Sequence, residues 1–211
     1  MNIINPAKNS ILKKYPDGNI YQHFGENVSL YLVAIQTAGH NGIDIAMTEG
    51  TPIIATRGIV CDVKNTPNGY GKHIRILTDP DENGTFYELT YGHLGDIYCS
   101  IGDRVENGDC IGTMSNTGFV ISGGVSYWGN APSGKGVHLH FGVRECSTKD
   151  TGWENIYSDG KKVYIKNYEN GLKGAIDPLP FIIEEAFEEP VIPLMKRVIT
   201  LLKTLLLKLK Q

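Results

Sequence analysis

The stretch Val137–Val143, VHLHFGV, decides how the rest of the chain is read. Val137, Leu139, Phe141 and Val143 alternate with His138, His140 and Gly142, and successive side chains of a strand point to opposite faces. The stretch is expected to pack its four apolar residues on a core and to turn its two imidazoles the other way, about 7 Å apart. Two histidines so placed can serve one site in two roles. One binds a metal while the other hydrogen-bonds a water or substrate atom beside it.

Working outward, short apolar runs recur at Thr51–Ala55 (TPIIA), Ile59–Val63 (IVCDV), His73–Leu77 (HIRIL) and Thr85–Tyr91 (TFYELTY), separated by clusters of glycine, asparagine and proline. This is the signature of a mainly β domain. The 25 glycines show no G-X-Y period, which excludes a collagen-like chain. Ser115–Gly136 (SNTGFVISGGVSYWGNAPSGKG) is too long for a tight connection. It is read as either a groove wall or a surface insertion with its aromatics packed down. Ile101–Met114 (IGDRVENGDCIGTM) looks like the hairpin of lipoyl and biotinyl carriers, but its ENGD tip has no lysine, so its role is structural.

Charge divides the chain in two. Residues 1–189 hold 15 bases against 23 acids, net -8, whereas residues 190–211 hold five bases and no acid, net +5. A nucleic-acid binder is excluded by the first figure. In the C-terminal segment Met195, Ile199, Leu202, Leu206 and Leu209 recur at helical spacing, with Lys196, Lys203 and Lys210 on another face. A basic amphipathic helix over 190–211 is expected to self-associate, lie on a membrane surface or dock on a virion partner, since five cations interrupt it too often for a span. The opening residues contain no apolar run of secretory type, so no signal peptide is expected. Cys61, Cys99, Cys110 and Cys146 are widely spaced without a C-x-x-C pair and are expected to be free and buried.

Two further elements carry polar chemistry. His40-Asn41-Gly42-Ile43-Asp44 places a histidine and a carboxylate on a loop entering the apolar run IDIA, and Tyr91-Gly92-His93-Leu94 puts His93 at the end of another run. Zinc takes three or four nitrogen, sulfur or oxygen donors, and an open catalytic site commonly has three protein ligands. The chain has no H-E-x-x-H motif, which excludes a glutamate general base of that kind. His23 and His73 are expected to be ordinary surface or groove-rim histidines.

In this order, H-x-x-x-D, then YGHL, then a glycine-rich turn and H-x-H, the chain resembles the lysostaphin-type zinc metallopeptidases. These are glycyl-glycine and DD-endopeptidases that cut the peptide part of bacterial peptidoglycan. The resemblance covers about residues 23–181 within a domain of residues 1–189. It implies an antiparallel β-sheet peptidase domain with a narrow groove, Zn2+ held by His40, Asp44 and His140, and catalytic His93 and His138 flanking a metal-activated water. One of those two would orient or deprotonate the water, and the other would stabilise the oxyanion or protonate the leaving amine. It also implies a cell-wall or extracellular setting, and a phage lysin or virion-associated hydrolase reconciles that setting with the expected lack of a signal peptide. A non-catalytic module of the same fold, binding wall peptides or activating another hydrolase, is the alternative. Two departures stand out. Residues 119–135 are inserted before the H-x-H strand, so a relative's specificity does not transfer. Tyr31, nine residues ahead of His40, is the nearest counterpart of an aromatic hydroxyl that often assists the oxyanion in the family, and its role stays open.

Overall fold

The computed structural model describes residues 2–157 and 160–183. The expected amphipathic helix over 190–211 and the boundary at residue 189 lie outside the described residues. Among those described, no helix is long and apolar enough to cross a membrane.

The histidine-bearing strand runs Leu139–Ser147 and is the axis of the main sheet. Phe86–Gly92 pairs along one edge of it, followed outward by Lys72–Thr78 and Gly58–Asn65. Along its other edge pair Ile43–Ile45 at the N-terminal half and Lys162–Ile165 at the C-terminal end. All these pairings are antiparallel. A smaller antiparallel sheet, Pro52–Ile54, Cys110–Met114 and Leu94–Ile97, packs beside it.

The expected alternation sets the core. Leu139, Phe141 and Val143 join Ile43, Ile45, Ile74, Ile76, Leu89 and Tyr91 in one buried cluster. The opposite face is not left to solvent, which the alternation alone would have suggested. Along that face His140 is followed by Arg144 and Cys146, and Phe86–Gly92 is buried throughout. Arg144 Nε donates to Glu88 Oε1 at 2.7 Å and its Nη2 donates to the same oxygen, while Asn155 Nδ2 donates to Oε2 at 2.9 Å. A carboxylate that is 1% exposed needs such partners. Beyond it, Cys61, Leu77, Phe86, Cys146, Tyr157, Val163 and Ile165 form a second apolar cluster.

All four cysteines are buried and none is joined in a disulfide, as their spacing predicts. One reading changes, and two elements are new. His73 is buried rather than superficial, with Nδ1 donating to the Gly71 carbonyl at 3.0 Å. Val28–Ile35 forms a helix although its run of apolar residues has no amphipathic period. Left-handed Asn27 and Gln36 bound it, and Val28, Leu30, Leu32, Val33 and Ile35 are exposed. The insertion contains a hairpin, Val120–Ser122 with Val125–Tyr127, turning on Gly123 and Gly124, both at positive φ. Trp128 meets Phe119 with ring centroids 5.2 Å apart but stays 62% exposed.

The base of that insertion is locked to the loop at residues 66–71. Phe119 N donates to Gly69 O at 2.9 Å and Gly129 N to Pro67 O at 2.8 Å. Gly71 and Gly118, both at positive φ, approach so closely that a Cβ on either would overlap the other segment's backbone.

Phe141 is fully buried, with its ring 5.1 Å from that of Tyr91. Phe141→Ala is expected to cost about 3–5 kcal/mol, read as a lowered midpoint in urea denaturation.

Candidate metal centre and its flanking histidines

Strand register builds the site. His140 lies directly opposite Asp44 on one neighbouring strand and opposite Gly92 on the other. Four residues before Asp44, His40 enters on a loop clamped by its own backbone: His40 N donates to Glu26 O at 2.9 Å, and Gly25 N donates to His40 O at 2.8 Å. His40 and His140 are 1% and 3% exposed.

Three donor atoms meet. His40 Nε2 is 2.9 Å from His140 Nδ1, and Asp44 Oδ1 is 3.2 Å from each. Tetrahedral ligands at about 2.0–2.1 Å from zinc would stand roughly 3.3 Å apart. A triangle of this size accommodates the ion with little movement. Direct hydrogen bonding explains it less well, because one imidazole nitrogen holds at most one proton and cannot donate to both neighbours well. His40 Nδ1 faces the His23 carbonyl at 3.3 Å, which assigns the proton to Nδ1 and leaves Nε2 a lone pair. Among the described residues this trio forms the one cluster of histidine, cysteine or carboxylate groups able to hold a metal ion.

The other two histidines stand beside it. His138 Nε2 is 3.7 Å from Asp44 Oδ1. The rings of His93 and His138 are 4.4 Å apart, and those of His93 and His140 are 6.3 Å apart. Each is oriented through Nδ1: His93 donates to Thr117 O at 2.7 Å and His138 to Gly136 O at 2.8 Å. Both therefore keep the basic lone pair on Nε2. His93 has φ 60°, a left-handed conformation that follows directly on the end of its strand. Its N–H donates to Tyr70 O at 2.8 Å. Regular pairing of the histidine strand starts only at Leu139, and His138 bridges Ser115 instead.

The charge states follow from burial. Burial by itself would raise the Asp44 carboxyl, but the nearby His138 and His40 imidazoles and the ring nitrogens of His140 and His40 against its Oδ1 outweigh it and hold the group well below its usual range. His140 is pushed down to about 4 by burial, against the opposing hydrogen bond to Asp44. Burial, reinforced by neighbouring His138, also holds His93 well below the ordinary histidine value. Neutral imidazoles beside an ionised carboxylate are the states that bind a divalent cation.

The five expected residues, His40, Asp44, His93, His138 and His140, are thus brought together. Tyr31 lies beside them, its ring 5.3 Å from that of His40 and its hydroxyl accepting from Gln22 Nε2 at 3.1 Å. Burial raises its phenol above the usual value, so it stays a donor at neutral pH. His23 contributes its carbonyl, and His73 stands edge-on to Tyr70 with centroids 5.8 Å apart. Tyr70 itself, Thr117 and Gly136 were not among the candidates. The turn NGYG at residues 68–71 was visible, but nothing in it tells which way Tyr70 faces.

The profile described as Peptidase family M23 matches residues 38–163, more than half of the chain. The peptidoglycan DD-endopeptidase ShyA of Vibrio cholerae is 34% identical over 113 residues, which are 53% of this chain and 22% of that protein. The glycyl-glycine endopeptidase ALE-1 of Staphylococcus capitis is 31% identical over 112 residues, 53% of this chain and 26% of its own. The chain thus spans about a quarter of the length of these curated relatives. Among solved structures, lysostaphin from Staphylococcus simulans aligns with TM-score 0.42 at 23% identity, over 67% of this chain and 43% of that one.

A pH effect on stability follows. His93 and His140 titrate lower in the fold than unfolded histidine, near 6.5, so on acidification the unfolded chain takes up protons first. In metal-free protein, stability should be intact above about pH 6.5 and fall as pH drops towards 4. Asp44, depressed instead, loses its contribution only below about 3.8. Melting temperatures between pH 7 and 4.5 check this. His93→Asn, which suits a left-handed position, should show a shallower decline, and an equal slope would contradict the assignment.

Proposed function

The chain belongs to peptidase family M23, and on that footing we propose that it is a zinc-dependent endopeptidase hydrolysing peptide cross-links or stem peptides of bacterial peptidoglycan. The observation that carries the reading is a division of labour in which ring nitrogen each imidazole turns to the site. His40 Nε2, Asp44 Oδ1 and His140 Nδ1 form a triangle with sides of 2.9–3.2 Å, and His93 and His138 beside it have their Nδ1 protons engaged by carbonyls.

In this reading His40, Asp44 and His140 hold the zinc. Bound there, zinc acts as a Lewis acid towards a peptide carbonyl and lowers the pKa of water. The protein's own groups do the rest. One of His93 and His138 accepts the proton of the attacking water on Nε2. The other, carrying a proton on Nε2 taken up from solvent, donates to the oxyanion or delivers that proton to the leaving amine. Solvent exchange then resets both rings, and the Nδ1 anchors keep them in place as their charge changes. Tyr31, still protonated at neutral pH, supplies a further donor, a hydroxyl, on the His40 side. The two relatives' names give two different bonds, one DD and one glycyl-glycine. The inserted hairpin at 120–127 is in this reading the candidate groove wall, so the bond cut is not carried over from either relative.

Incubation with purified peptidoglycan and mass spectrometry of the products tests the reading. New amine termini are expected, lost with a chelator and restored by zinc. His138→Ala and His93→Ala should each lower kcat by about 10²–10⁴-fold while zinc stays bound. Bound wall fragments without new amine termini would overturn it in favour of a non-catalytic wall-binding module.

A further inference from the structure

A metal-binding histidine usually donates its second ring N–H to an acceptor, which fixes the ring's orientation. His40 follows this rule through the His23 carbonyl. His140 does not. Its Nε2 is buried without a hydrogen-bond partner among the described residues. Something else must keep this ring from turning.

Packing does so from two sides. Tyr70 stacks on His140 with centroids 4.7 Å apart and planes inclined at 27°. Elsewhere around the ring, Gly42 leaves space that no side chain could share, since a Cβ there would lie 2.8 Å from His140 Cε1 and 2.9 Å from Nε2. Tyr70 is in turn fixed. Its hydroxyl accepts from Asn41 Nδ2 at 2.8 Å, and its ring meets His73 edge-on. Asn41 sits between His40 and Gly42, so the loop that carries one member of the trio also braces the ring stacked on another.

We propose that Tyr70 is a positioning residue for His140: its stacked ring takes the place of the missing hydrogen bond. The inference rests on the metal reading given above. The Tyr70 carbonyl, which accepts from His93 N at 2.8 Å, is untouched by changes to the side chain, so substitution isolates the ring.

The test is metal affinity of the full chain, measured by competition with a chromophoric chelator for Zn2+ and by the visible spectrum of bound Co2+. Tyr70→Phe keeps the stack and is expected to bind within about threefold of the unsubstituted chain, with the same Co2+ band. Tyr70→Leu removes the stack at similar bulk and is expected to weaken binding about 10–100-fold and to alter the band. If circular dichroism shows that Tyr70→Leu does not fold, Tyr70→Met replaces it. A leucine or methionine variant with unchanged affinity and band would overturn the proposal. So would a phenylalanine variant as weak as leucine, which would assign the effect to the hydroxyl. Failure of the unsubstituted chain to bind Co2+ would overturn the metal reading itself.

Discussion

Three neighbouring strands hold Asp44, His140 and Gly92 in one row across the sheet, and every other feature of the site depends on that register. Side-chain period on a strand is two, so a slip of one residue would move His140 to the apolar face and leave Phe141 in its place. The slip is blocked from both faces at once. Leu139, Phe141 and Val143 fill the main core, while Arg144 must meet the buried Glu88 on the other side. An ion pair that could be replaced by apolar residues without loss of stability thereby acquires a reason to be there: it specifies the pairing. Gly92 completes the row. A Cβ there would sit 3.3 Å from that of His140 and 3.2 Å from that of Tyr70, in space the two rings already use.

Around this row the backbone decides which nitrogen of each imidazole is basic. Carbonyls of His23, Thr117 and Gly136 face Nδ1 of His40, His93 and His138. His140 is reversed, with Nδ1 inward and Nε2 unpartnered among the described residues. Four histidines therefore offer four lone pairs to a small volume, and burial keeps His93 and His140 neutral enough to do so. The Gly71–Gly118 contact joins the loop bearing Tyr70 to the segment whose Thr117 carbonyl orients His93. The hairpin at 120–127 is thus carried on a base that also aligns the site.

What could be read in advance follows from what is local. VHLHFGV exposes its period in seven residues, and the H-x-x-x-D, YGHL and H-x-H patterns together supply the five polar positions. Tyr70 was illegible because its meaning lies in a stack on a residue 70 positions away. His73 alternates with isoleucines and reads as exposed, yet Tyr70 stands over it. The helix at Val28–Ile35 was missed because its exposed apolar side chains give no helical stripe, and its ends are set by left-handed Asn27 and Gln36 rather than by glycine. That helix matters because it carries Tyr31 to the face of His40.

The central claim is that the two imidazoles and one carboxylate gathered by the strand register form a single metal centre. X-ray absorption spectroscopy of the zinc-loaded chain addresses it most directly. The account predicts one zinc per chain with two imidazole nitrogens and light oxygen donors at about 2.0–2.2 Å and no sulfur shell, a signal that loses one imidazole in His40→Ala. Sulfur scattering at about 2.3 Å, or an unchanged imidazole count in that variant, would contradict it.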